Sequence, residues 1–330
     1  MSFKRLDPED FLVSVDSVTA TAWSTNSPTL TTFFTSSVTS TNDSYYKNVY
    51  QTASTVSGST VQFAIAYGNE YGSGSAFYNN AVTGSSPTRT VYGQYRNLIY
   101  GSETAAFIFG TVTASDFWAI SVDRARYKEH LLKGTFNITL SGSGIQTLKL
   151  TDNSGMVSTD TYLDCGRVYE IISGSNGVAY TGTGYSPSSG SYGLFLPDIA
   201  TIILNPFALS QSINLSPSRS FDSDGLNIGR LFTAISGAAS FQVNSEETVT
   251  SDYVFVRARN SEFNYSENPS FISGSTGDVI FSTFINSPQT YMTTVGFYND
   301  TNDLLAVAKL SKPLTKDFTK EALLRVKLDF

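Results

Sequence analysis

One histidine and one cysteine occur among 330 residues, so chemistry that needs either has a single place to reside. His130 ends the densest charge cluster, Asp123-Arg124-Ala125-Arg126-Tyr127-Lys128-Glu129-His130. A serine–histidine–aspartate relay needs such a residue as its base. Here the adjacent cations favour the neutral ring, but no G-x-S-x-G turn accompanies it, and a surface or subunit-contact histidine is expected. Cys165 alone forms neither an internal disulfide nor a zinc site and reads as a small buried hydrophobe. Glu246, Glu247, Asp152, Asp164 and Asp198 are of the type that glycoside cleavage uses in pairs, yet a chain with 28 acids offers such pairs by chance. Asp222-Ser223-Asp224-Gly225 opens like a calcium loop, but its twelfth position is Thr233 where a bidentate Glu is needed. Asp224 is therefore expected to cap a helix. The glycine-rich Gly68–Gly74 stretch lacks both G-x-G-x-x-G spacing and a following Lys-Ser/Thr. No catalytic, cofactor-binding or metal-ligating residue is assigned, no cofactor is implied, and a non-enzymatic role is expected.

The elements around these residues read as strands. Charged residues make up 15% of the chain, well under the usual quarter, whereas aromatics reach 13%. Much of the remainder is Ser, Thr, Gly and Asn, which suit turns and solvent-facing strand positions. The fold class expected is mainly β, antiparallel sheets or a sandwich, with two or so short helices. Phe11–Val18, which alternates from Val13 onward, Val61–Tyr67, Phe107–Phe109, Phe117–Val122, Phe136–Leu140, Tyr192–Leu196, Ile199–Leu204 and Val249–Val256 are strand candidates. Pro87–Tyr100 and Asp224–Ser236 are the helix candidates, stopped by Gly101 and Gly237. In the first, Val91, Tyr95, Leu98 and Ile99 share a face. Four regions are expected: 1–40 as an extended arm or strands, and 41–150 as a β-rich domain containing the helix near 87–100. A Ser/Gly-rich β insertion over 151–245 holds the helix near 224–236, and 246–330 supplies antiparallel strands that complete the core sheet.

At the C-terminal end, Tyr291–Tyr298 and Leu304–Leu310 flank the polar turn Asn299-Asp300-Thr301-Asn302-Asp303, the pattern of a hairpin whose second arm stops at Pro313. Leu324, Val326, Leu328 and Phe330 alternate with Arg325, Lys327 and Asp329, placing the apolar set on one face of a third strand. The basic residues Lys309, Lys312, Lys316 and Lys320, with Arg325 and Lys327, read as solvated edge cations that oppose sheet-on-sheet aggregation.

Net charge is −7, which supplies no global footprint for nucleic acid. No apolar run approaches the ~18 residues of a membrane span, and the acidic start, Met-Ser-Phe-Lys-Arg-Leu-Asp-Pro-Glu-Asp, is unlike a signal peptide. Neither nucleic acid nor membrane is an expected partner.

The stretches TTVGFYND, LLAVAKLSKPL and LLRVKLDF, preceded by VFVRARNSEFNYSENPSF (Val254 to Phe271), resemble a family of virion structural proteins. These belong to contractile-tailed phages, myoviruses of marine and cyanobacterial hosts. The hairpin Gly296-Phe297-Tyr298-Asn299-Asp300 before Leu304-Leu305-Ala306-Val307-Ala308 is similar to a signature of phage baseplate and fibre-collar proteins. Weaker likeness runs through FKRLDPEDF, SYYKNVYQ and KGTFNITLS. The resemblance implies a virion building block assembled in the host cytoplasm, in a tail or baseplate, that contacts other virion proteins and copies of itself. The alternatives it leaves are a head, neck or vertex decoration protein, and a fibre module that binds a host receptor or glycan.

Overall fold

The computed structural model describes residues 3–35, 46–74, 86–142, 146–180, 188–220, 226–266 and 268–329. Asp222 and Asp224, and with them the expected helix cap, lie outside these residues. The protein is mainly β with antiparallel sheets, as composition predicts. The chain forms two compact units, Val18–Glu247 and the combination of Met1–Ser17 with Thr248–Phe330.

The Val18–Glu247 unit is built on one large curled sheet. Its central strands run in the order Asn137–Ser141, Thr147–Asp152, Gly166–Ser175, Gly193–Leu196, Thr201–Leu204, Asp116–Val122 and Val61–Asn69. Gly193–Leu196, Thr201–Leu204 and Asp116–Val122 are covered on both faces and so are apolar at successive positions, whereas Asn137–Ser141 and Thr147–Asp152 keep the alternation of strands with one covered face. Phe63, Ile65, Tyr67, Trp118, Ile120, Phe195 and Ile202 point into one core, and Ala66, Phe117, Ala119, Leu194, Leu196 and Ile203 into the other. Register places Tyr67 opposite Trp118 and Ile65 opposite Ile120, and Ile120 is paired in turn with Ile202.

Helix Thr88–Tyr100 begins after Pro87 and ends at Gly101, whose φ of 59° is the left-handed cap a glycine adopts freely. Its buried face is Val91, Tyr92 and Ile99. Leu98, expected on that face, is exposed, because Tyr92 stacks on Phe117 and meets Phe107 edge-on and so turns the helix about its axis. The second expected helix is Asn227–Ala238. Gly237 lies inside it, and Ala239 supplies the left-handed cap. A third helix, Pro206–Ile213, was not expected. Asn205 caps it by accepting from the Phe207 and Ala208 N–H groups, and Pro206 occupies the first turn, where its missing N–H costs nothing.

In the unit formed by the two chain ends, strands run in the order Phe11–Thr21, Asn244–Ala258, Ala322–Asp329. The last two pair antiparallel from Ser251↔Asp329 to Ala258↔Ala322. The hairpin Thr290–Tyr298 with Leu304–Lys316 forms a separate two-stranded sheet. One expectation is corrected here. The last strand pairs with Asn244–Ala258, and the C-terminal strands lie in small sheets, one of them shared with Phe11–Thr21, instead of completing the large one. The second hairpin arm also passes through Pro313. Pairing jumps from Met292↔Leu314 to Thr294↔Lys309, so Pro313 lies in a bulge that asks no ladder donor of it.

A candidate assembly surface in the terminal unit

The residues that set this unit apart are large apolar side chains without cover. Among its described residues the buried apolar side chains are Val254, Ala258 and Ala322. Exposed ones are plentiful. Phe11, Leu12, Val13 and Val15 are each at least half exposed, and so are Leu304, Leu305 and Val307. Along Phe11–Thr21 both faces of the strand are open, although alternation normally buries one. In the hairpin Leu304, Leu305 and Val307 are exposed, while Ala306 and Ala308 between and beyond them are part-buried. Exposed apolar side chains, where they gather into a patch, commonly mark a docking site.

A groove of about 1570 Å³ runs through the same unit, lined among others by Phe3, Phe11, Phe263, Phe284, Met292 and Leu304. Its frame is polar and specific. Phe3 meets Tyr298 edge-on at 5.1 Å. The Lys4 ammonium donates to the Arg257 carbonyl at 2.5 Å and pairs with Glu262 at 3.1 Å. Glu262 is held below the ordinary glutamate range by the Arg259 N–H and by Lys4. Lys316, expected as a solvated edge cation, is instead fully buried. Its ammonium donates to the Asn260 carbonyl, Asn264 Oδ1 and the Asp317 carbonyl at 3.0, 2.9 and 2.9 Å. Three acceptors match its three donors, which is what makes burial of the ammonium tolerable. Thr290 Oγ1 donates to the Phe263 carbonyl at 2.5 Å and ties the hairpin to the same loop. In the loop beyond, Asp317 falls to about 2 because the Thr319 hydroxyl and N–H, then Lys320, favour its charged form. Lys309, Lys312, Lys320, Arg325 and Lys327 are exposed as expected, and Arg325 and Lys327 lie over the Tyr253 ring.

The titratable residues of the other unit are engaged in holding its fold. His130 is buried, not at the surface. It pairs across the ladder with Glu246, Nε2 to Oε2 3.0 Å, because Glu246 is brought to the ring in place of the sequence-adjacent cations. Asp198 takes the Arg167 N–H at 2.7 Å and its guanidinium through both oxygens. Burial alone would raise its pKa, but Arg167 outweighs burial and holds it low. Asp152 is pushed up by burial while accepting from the N–H groups of Gly134 and Ser154. Lys133 binds Asp160 at 2.8 Å, and the adjacent Tyr169 hydroxyl rises to about 12, first from desolvation and then from Asp160. Cys165 is half-buried against the second core, with its thiol raised by burial. Glu246, Asp152 and Asp198 thus each serve a different internal donor set. Among the described residues no three His, Cys, Asp or Glu side chains gather in the way a metal ion requires, and no helix is long and apolar enough to cross a membrane.

Sequence reasoning missed the groove because its lining comes from both ends of the chain. The signal it could have used was the run Phe11-Leu12-Val13, apolar at successive positions where alternation is expected of a half-buried strand. Comparison of the chain with protein-family models, with curated proteins and with solved structures finds no match.

Proposed function

We propose that this protein is a non-enzymatic structural subunit of a contractile-tailed phage virion, placed in the tail or baseplate, which works by making subunit–subunit contacts. One observation carries the reading. The unit formed by the chain ends exposes large apolar side chains on strand and hairpin while burying few of its own. A two-stranded hairpin is marginal in water unless something packs on it, so such a unit suits a chain that is completed by its neighbours. The resemblance of its C-terminal strands to virion proteins supplies the kind of assembly. Its partners are then other virion proteins and further copies, and its location the particle.

The test is to purify phage particles from cells in which this protein is produced during infection, search them for it by mass spectrometry and locate it with a labelled antibody by electron microscopy. Label at the tail end is the expected result. Label on the head or neck would move the protein to a decoration role, and particles lacking the protein altogether would overturn the proposal.

A further inference from the structure

The sheet Phe11–Thr21, Asn244–Ala258, Ala322–Asp329 has two outer strands, each paired among the described residues only with the middle one. The outer strands differ in chemistry. Natural edge strands are commonly guarded by Lys, Arg or Pro against unwanted pairing. Ala322–Asp329 carries such guards, exposed Arg325 and Lys327, which outnumber the one acid of the strand, Asp329 at its end; exposed Glu321 lies just before it. Phe11–Thr21 contains no Lys, Arg or Pro, and its one charge is the exposed Asp16. Just before it lies the turn Pro8–Asp10, with exposed Glu9. The mid-strand charge is therefore acidic on one edge, at Asp16, and basic on the other, at Arg325 and Lys327.

We infer that a second copy of this chain adds to the sheet head to tail, the Phe11–Thr21 edge of one copy pairing with the Ala322–Asp329 edge of the next. This rests on the assembly reading above and names its partner. Like edges are poorly matched, since two Ala322–Asp329 strands would set Arg325 and Lys327 near their own kind, and like charges across a ladder are destabilising. Unlike edges bring Asp16 and Glu9 toward Arg325 and Lys327. They also satisfy a row of backbone donors and acceptors on both strands and cover Phe11, Val13 and Val15 beside Leu324 and Val326. Each edge is the complement of the other, so no third protein is needed to satisfy either. A head-to-tail contact closes into a ring or runs on as a filament, depending on the rotation per copy.

The experiment uses full-length protein in sedimentation velocity over a range of concentrations and salt. Wild type should self-associate and dissociate as salt rises from about 0.1 M to 1 M, where the screening length drops from ~10 Å to ~3 Å. Two charge-reversed variants follow, Arg325→Glu with Lys327→Glu, and Glu9→Lys with Asp16→Lys. Each alone should associate at least about tenfold more weakly, because its two edges now carry one sign. Mixing the two should restore association, which simple misfolding of either variant could not produce. Wild-type assembly that ignores salt, or variants that assemble as well alone as mixed, would overturn this edge pairing. Detection of the protein in particles would then still stand for the assembly reading, through another surface. A wild type that stays monomeric throughout also overturns the pairing.

Discussion

At the residue scale, the instructive side chain is Lys316. It sits in a basic stretch and was expected in solvent, yet it is buried and holds the loop around Asn260 and Asn264. Residue type alone could not reveal this, since its acceptors come from Asn260 and Asn264 far away in sequence. Lys316→Met keeps the aliphatic stem but leaves three acceptors without their donor. Each buried orphan costs about 1–3 kcal/mol, so the melting temperature of the terminal unit should drop measurably. An unchanged melt would mean that water replaces the ammonium at no cost. Asp198 gives a pH test. Its pKa in the fold is lowered, so its contribution is present above the unfolded aspartate value of about 4 and lost as pH falls through the folded value. Asp198→Asn should therefore flatten the acid limb of stability against pH. Both partners remain partly exposed, and solvent screening holds the loss at neutral pH to about 1 kcal/mol.

At the element scale, local pattern was readable and partners were not. The alternation of Leu324, Val326 and Leu328 against Arg325 and Lys327 is present in the last strand, with the apolar set half-buried and the cations exposed. Which strand lies beside it depends on contacts from Ser251 to Ala258, and nothing in eight residues encodes that. The stop expected at Pro313 failed for a related reason. A bulge removes the demand for an N–H there, and bulges follow from pairing, not from composition. Deleting Lys327–Phe330 removes the pairings of Tyr253, Asp252 and Ser251, whereas Arg325→Gln with Lys327→Gln leaves the ladder whole. A fully buried large apolar side chain is worth about 1.5–3 kcal/mol, so half-buried Leu328 should cost about 1 kcal/mol beyond the lost backbone bonds. Hydrogen exchange at residues 251–253 should accelerate in the truncated chain and remain slow in the double Gln variant. The opposite ranking would mean that the ladder is held by its cations over Tyr253.

At the scale of the whole molecule, both hydrophobic cores lie in one of the two units. Both hydrophobic cores consist entirely of residues between Ala22 and Val243. They include side chains from two faces of one sheet, which is why the central strands read as apolar runs and were easy to find. The chain ends hold few buried apolar side chains and many exposed ones, and their meeting is something no local reading of the sequence could anticipate. The division makes a sharp prediction. A fragment comprising residues 18–247 retains every member of both cores and should fold cooperatively, with its main melting transition within about 5 °C of the full chain's. A dye that reports exposed apolar surface should bind the full chain strongly and the fragment much less, because the exposed strand and hairpin residues leave with the terminal unit. A fragment that precipitates, or one that binds dye as strongly as the full chain, would show that the terminal unit covers the cores. It would then be a lid on the main unit and not a surface kept for neighbours, and the assembly reading would lose the observation that carries it.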